Sequence, residues 1–159
     1  MARYVRKVVV KKPKKLVVAV DDSGIILKMI GKVLGERYEY HAFSSGKRAL
    51  AFLQDRTPDV IILDIDMPEI DGYEMLKRIR SKEYLGNVPV IFLTSNADKE
   101  HVLKAIEGGA NDYVIKPIDE DILLDKVRSS IKDDEADAES DEIIEEVEAG
   151  FINEWIDDD

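Results

Sequence analysis

The stretch "VVAVDDSG", Val17 to Gly24, runs from four apolar residues into two adjacent carboxylates, Asp21 and Asp22, just before a helical pattern of apolar residues begins. The same alternation continues along the chain. Short apolar runs stand at "LVVAV" (16–20), "YEYHAF" (38–43), "DVIILD" (59–64), "VPVIFL" (88–93) and "DYVIK" (112–116), each bounded by turn residues. Between and after them apolar residues fall three and four apart, as in Ile26, Ile30, Val33 and Leu34, or Ile122, Leu123, Val127 and Ile131. The pattern is strand then helix, five times over. Runs such as "VVAV" and "VIIL" are apolar at every position, so both of their faces need cover, as parallel strands between two helical layers do. The expected fold is α/β, a doubly wound five-stranded parallel sheet, (βα)5. Ligands of such sheets bind beyond the carboxyl ends of the strands, so chemistry is sought just after each run.

Composition bounds the rest. The chain has 159 residues, enough for one globular domain with a core. It has no cysteine, which excludes disulfides and thiolate metal sites. No apolar run approaches the roughly 20 residues of a membrane span, and no segment reads as a signal peptide, so a soluble cytoplasmic protein is expected. The net charge of -11 is unevenly spread: residues 1–15 carry seven Lys or Arg and no acid, whereas residues 133–159 carry 14 Asp or Glu and no Lys or Arg. The chain divides into a basic arm (1–15), a globular middle (16–131) and an acidic tail (132–159).

Reading off the strand ends yields a convergent set. Asp21 and Asp22 follow the first run, Asp64 closes the third, Thr94 and Ser95 follow the fourth, and Lys116 and Pro117 follow the fifth. Taken singly, each has a bland reading: Asp22 as a helix cap, Asp64 as a turn residue, Lys116 as a surface lysine. Together they do not. Three carboxylates on one small surface repel unless a cation joins them, and a few hard oxygen ligands suit Mg²⁺.

At these residues the chain resembles the response-regulator receiver family of two-component signalling. The matching motifs are "DD" at 21–22, "LDIDMPEIDG" at 63–72, Thr94 with small Ser95 behind it, and "KP" at 116–117, and the resemblance spans about residues 16–131. It implies the flavodoxin-like strand order 2-1-3-4-5. It implies Asp64 as the nucleophile that accepts a phosphoryl group from a phosphohistidine on a histidine kinase or phosphotransfer protein. Asp22 and Asp64, with Asp21 through water and the backbone carbonyl of Asp66, would hold Mg²⁺. Lys116 would pair with the phosphoryl group, Thr94 would move in to hydrogen-bond it, and Tyr113 would be the aromatic switch that turns inward with Thr94. Asp66 and Asn96 occupy places that tune the lifetime of the phosphorylated state. The Lys116–Pro117 bond is expected to be cis. Pro68 and Gly72 shape the loop after Asp64, and Asp71 can cap the next helix. His41 and His101 are read as surface histidines.

The resulting expectation is a stand-alone phosphorylation switch that carries out its own phosphorylation and dephosphorylation and acts on a downstream protein target, with a homodimer compatible. The remaining residues are too few and too acidic for a helical DNA-binding domain. A receiver cut from a longer regulator is an alternative. The rival from another class is a haloacid-dehalogenase-type phosphatase, in which Asp64, Asp66, Thr94 and Lys116 would act; the acidic pair here precedes the nucleophile, which argues against it. An EF-hand reading of "DIDMPEIDG" fails because its sixth position is Glu69, not Gly. In the tail, Ile144, Val147, Phe151 and Trp155 lie three and four apart, which predicts an amphipathic helix over 141–156 that docks on a partner or on this chain, with charge favouring a basic surface such as the arm.

Overall fold

The computed structural model describes residues 5–96, 98–131 and 142–148. In chain order the elements are β1 (Val5–Lys11), β2 (Leu16–Val20), α1 (Gly24–Leu34), β3 (Glu39–Phe43), α2 (Gly46–Leu53), β4 (Val60–Asp64), α3 (Gly72–Ser81), a 3-10 turn (Glu83–Leu85), β5 (Val90–Thr94), α4 (Lys99–Glu107), β6 (Asp112–Ile115), α5 (Glu120–Ile131) and β7 (Glu142–Glu148). They fall into two units, a body of residues 14–133 and a second unit of residues 1–13 with 134–159.

The body is built on a parallel five-stranded sheet of order β3-β2-β4-β5-β6. Counted along the chain within that sheet, this is 2-1-3-4-5. Successive side chains of a strand point to opposite faces, and both faces are used. Val18, Val20, Ile61, Leu63, Val90 and Phe92 pack against Leu53 of α2, Met75, Leu76 and Ile79 of α3, and Ala105 of α4. Their neighbours Val17, Ala19, Val60, Ile62, Ile91 and Leu93 pack on the other side against Leu27, Ile30 and Leu34 of α1 and Leu123 and Val127 of α5. Every residue of the three central strands β2, β4 and β5 is buried, whereas the edge strands β3 and β6 are only partly so. This is why the central runs read as unbroken apolar segments and the edge runs do not.

Helix starts follow local chemistry. Ser23, Ser45, Asp71 and Asp98 each accept a backbone N–H of the first turn of α1, α2, α3 and α4, which satisfies a donor that the helix itself cannot. Asp71 thus caps α3 as its position suggests, while the cap of α1 is Ser23 and not Asp22. The loop after β4 turns back sharply: the Gly72 N–H donates to the Ile65 carbonyl at 2.7 Å, and a Cβ on Gly72 would stand 2.5 Å from the Asp64 carbonyl oxygen and 2.6 Å from Ile65 Cα. Only glycine permits this approach.

The second unit corrects the reading of the tail. Residues Glu142–Glu148 are a strand, not part of a helix, and pair antiparallel with β1 from Val5↔Glu148 to Lys11↔Glu142. Phe151, Trp155 and the rest of the expected helix lie outside the described residues. The physical reason is legible in the register. A helix would set Glu142 three and four positions from Glu145 and Glu146, and Glu145 three from Glu148, spacings at which like charges repel. The strand sets Glu142 opposite Lys11 and Glu146 opposite Lys7, and the Val-rich arm favours extended backbone.

The two glycines that open α1 and α3 should separate in a urea titration. Gly72→Ala should destabilise the protein by roughly 1–3 kcal/mol through overpacking against backbone. Gly24→Ala, where a Cβ meets nothing within 4 Å, should be neutral or stabilising by up to about 1 kcal/mol. Equal midpoints for the two variants would contradict the close approach at Gly72.

Candidate functional site

The site is assembled where the central strands end. Asp21 follows β2; its N–H donates to the Phe43 carbonyl at 3.1 Å, so the β2–β3 ladder runs one residue past the strand and fixes its backbone. Its side chain is fully buried, and Oδ1 accepts the Ser23 N–H at 2.8 Å. Asp22, next to it, is exposed. Asp64 closes β4 with 3% of its surface exposed, and the Ile65 N–H after it donates to the Leu93 carbonyl at 3.1 Å. Lys116 follows β6, its N–H donating to the Thr94 carbonyl at 2.8 Å, and the Lys116–Pro117 peptide is cis. From there Lys116 Nζ reaches Asp64 Oδ1 at 3.1 Å and Asp21 Oδ2 at 3.0 Å.

Charge in the cluster is not balanced. One oxygen from each of Asp21, Asp22 and Asp64 can be chosen so that all lie within 4.8 Å of one another, and Lys116 is the cation paired with two of them. The Nζ approach to Asp21 Oδ2 has ion-pair distance but not hydrogen-bond alignment, so this buried oxygen has no hydrogen-bond partner. Burial, then the charge of Asp21, pushes the Asp64 carboxyl up to about 6, against the opposing pull of Lys116 and the Asp66 amide. Burial alone would lower Lys116, but the carboxylates of Asp21 and Asp64 close to its ammonium outweigh it and leave its pKa raised. The Tyr40 hydroxyl, which donates to the Leu27 carbonyl at 2.7 Å, is also pushed up, by burial first and then by Asp21. A buried acid oxygen without a donor, among hard oxygen ligands in excess of positive charge, fits a divalent cation such as Mg²⁺.

A family model described as the response regulator receiver domain matches residues 17–128. The chain belongs to the response-regulator receiver family. Similar proteins include the regulatory protein AtoC of Escherichia coli, 40% identical over 108 residues that make up 67% of this chain and 23% of AtoC. The two-component response regulator ORR3 of Oryza sativa is 37% identical over 111 residues, 69% of this chain and 85% of ORR3. The solved structure of the chemotaxis protein CheY4 of Vibrio cholerae matches with a TM-score of 0.71 at 31% identity, covering 74% of this chain and 98% of that one. The chain therefore spans less than two thirds of AtoC and most of ORR3. Membership settles the fold of the body as the receiver's, and it removes the ground for the phosphatase reading. No helix among the described residues is long and apolar enough to cross a membrane.

The other expected residues divide into those inside the cluster and those beside it. Asp66 is exposed, and its carboxylate is not one of the three that converge. The Thr94 hydroxyl is engaged with the main chain of Asn96, donating to its carbonyl at 2.7 Å and accepting its N–H at 3.0 Å. Tyr113, half-buried on β6, shares a narrow cleft with Ile65, Thr94, His101 and Ala105. His101, expected at the surface, is 44% exposed and bonded through Nδ1 to Asp98 at 2.9 Å, yet it also lines that cleft. Its signal was the spacing of four to Ala105, the buried residue of α4, because residues four apart share a helix face. His41 lies half-exposed against Phe52, with ring centroids 4.8 Å apart, away from the cluster.

The raised Asp64 pKa has a stability consequence without metal. Well below the ordinary value of 3.8 the group is protonated in both folded and unfolded chains and imposes no penalty. Between 3.8 and about 6 the folded state holds the proton longer, so stability falls as pH rises; above about 6 the penalty is complete. In chelator, Asp64→Asn should remove this slope and raise stability at neutral pH by roughly 1–2 kcal/mol, less than the full shift implies because Asp22 and Lys116 open the cluster to water. Denaturant titrations of both proteins across this pH range check it, and parallel curves would contradict the assigned cause.

Proposed function

We propose that this receiver accepts a phosphoryl group on Asp64 and works as a phosphorylation switch in the cytoplasm, supplied by a phosphohistidine of a histidine kinase or phosphotransfer protein and read by a downstream protein. The observation that carries the proposal is the pairing of buried Asp64 with Lys116 at 3.1 Å beside the unbalanced Asp21. A carboxylate oxygen of Asp64 attacks phosphorus, the bond from phosphorus to the histidine nitrogen breaks, and the histidine leaves, so that an aspartyl phosphate forms without any net redox change. Asp21, Asp22, Asp64 and the Asp66 carbonyl would hold Mg²⁺, which when bound supplies charge neutralisation for the phosphoryl oxygens. Lys116, already oriented by its backbone bond to Thr94, pairs with the phosphoryl group after transfer. Such chemistry needs mainly positioning and charge compensation.

The movable parts lie beside this fixed frame. Thr94 Oγ1 exchanges its bond to the Asn96 carbonyl for one to the phosphoryl group, and Tyr113 turns into the cleft beneath the β5–α4 loop. Asp66 and Asn96, exposed at the mouth, govern how water reaches the phosphoryl group and hence its lifetime.

Incubation with a small phosphodonor such as acetyl phosphate in Mg²⁺ tests the proposal. The wild type should label to at most one group per chain, Asp64→Asn should not label while keeping its fold, and an aryl phosphate should not be turned over continuously. Undiminished labelling of the variant would sink the nucleophile assignment, and steady turnover would restore the phosphatase reading. Mg²⁺ at about 100 times its dissociation constant should add roughly 2.7 kcal/mol to stability by linkage. The double variant Asp21→Asn with Asp22→Asn should be more stable in chelator and should lose that response; an unchanged response would place the cation elsewhere.

A further inference from the structure

Tyr73 is a residue that the phosphoryl chemistry leaves unused. It stands in the first turn of α3, directly after Gly72, and its ring meets Phe92 of β5 edge-on with centroids 5.6 Å apart. From α4, the Lys104 ammonium lies over the same ring, 4.1 Å from its centroid, a distance at which an aromatic face attracts a cation. The ring therefore ties α4 to α3. The hydroxyl has no such tie. Among the described residues it is buried without a hydrogen-bond partner, and a polar group left in that condition opposes the state that contains it. Burial first, and then the charges of Asp66, Asp71 and Asp98, push the Tyr73 pKa up, so the hydroxyl keeps its proton and is a donor without an acceptor.

One of those three carboxylates belongs to the part of the site that is free to move. The Thr94 hydroxyl bonds both the carbonyl and the N–H of Asn96, Asn96 Oδ1 accepts the Asp98 N–H at 3.0 Å, and Asp98 Oδ1 caps α4 by accepting the His101 N–H at 2.9 Å. Exchange of the Thr94 bond is thus passed along hydrogen bonds to the start of α4, the helix that carries Lys104. Asp71, by contrast, is fixed as the cap of α3 itself. We infer that Tyr73 sets the resting bias of the switch: in the present state its ring holds α4 through Lys104 while its hydroxyl stays unpaired, and in the switched state α4 brings Asp98 to that hydroxyl, which donates to it. Asp98 Oδ1 is already engaged by His101, so Oδ2 is the acceptor. The two contacts oppose each other. Lys104 stabilises the resting state, the orphaned hydroxyl destabilises it, and each differs between the two states, as a group that biases a switch must. The inference rests on the reading of Asp64 as phosphoryl acceptor and of Thr94 as the group that moves.

The test is the affinity of the full chain for beryllium trifluoride, a stand-in for the phosphoryl group, in saturating Mg²⁺, read by fluorine NMR beside the urea midpoint in chelator. When binding requires the switched state, apparent affinity follows the population of that state. Tyr73→Phe keeps the ring and removes the donor; it should raise the urea midpoint and weaken binding about fivefold, the worth of one ordinary net hydrogen bond. Lys104→Met keeps the length of the side chain and removes the charge; it should lower the midpoint and tighten binding about two- to fivefold. A merely structural contact would shift the midpoints and leave both affinities unchanged. A Tyr73→Phe variant that binds as tightly as the wild type, or a Lys104→Met variant that binds no more tightly, overturns the inference. A wild type that does not bind the probe, or an Asp64→Asn variant that binds it equally well, overturns the phosphoryl reading and this inference with it, and so is told apart from failure of the inference alone.

Discussion

The repulsion among Asp21, Asp22 and Asp64, answered by the single ammonium of Lys116, is the constraint on which the rest of the receiver depends. Two of these acids are buried, and without a cation they oppose the fold they sit in. A cluster of this kind persists only if the surrounding structure holds it in place. The surroundings do so through apolar packing: Val20, Leu63 and Leu93, the residues that precede or flank the cluster on the central strands, are fully buried. Stability built on two apolar faces of one sheet is what permits an unbalanced charge cluster at its end.

Precision at the site comes from main-chain bonds, not from the side chains themselves. The Asp21 N–H is held by Phe43 of β3, the Ile65 N–H by Leu93 of β5, and the Lys116 N–H by Thr94 of β5. Each continues a parallel ladder past the formal end of a strand, so the positions of three charged groups are inherited from strand register. A one-residue slip in any pair would swap the faces of every side chain on the strand and carry these charged groups out of register with one another. Thr94 and Asn96 obey a different logic: their hydrogen bonds are local to one loop and can be exchanged without disturbing the ladder. The fixed Asp64 and the adjustable Thr94 thus sit at the ends of two adjacent strands, β4 and β5, with separate means of support.

Much of this was legible in the sequence, for physical reasons. Runs such as "VIIL" are apolar on both faces because β4 has helices on both sides, and that double burial writes itself into every residue. Asp71 could be read as a cap because capping is local, within three residues. What could not be read depends on distant atoms. The need for glycine at 72 arises from the backbone of Asp64 and Ile65, eight and seven residues away. The Thr94 hydroxyl could be expected beside the carboxylate cluster, but not its present bond to Asn96, because a rotamer has no sequence signature. His101 hid behind its exposure, although its spacing to Ala105 carried the clue.

The tail shows the limit most sharply. Ile144 and Val147 fit a helix when their segment is read alone, and the pairing that prevails spans 139 positions of chain, between Lys7 and Glu146. The two units of the chain consequently rest on different forces. The receiver is held by apolar burial, which salt does not weaken, whereas the pairing of β1 with β7 draws on opposed charges that ions screen over roughly 8 Å at physiological strength. Salt should therefore loosen one unit while leaving the other intact. A single unfolding midpoint describes a protein only when its parts melt together, and here the forces give no reason for the ribbon and the receiver to do so.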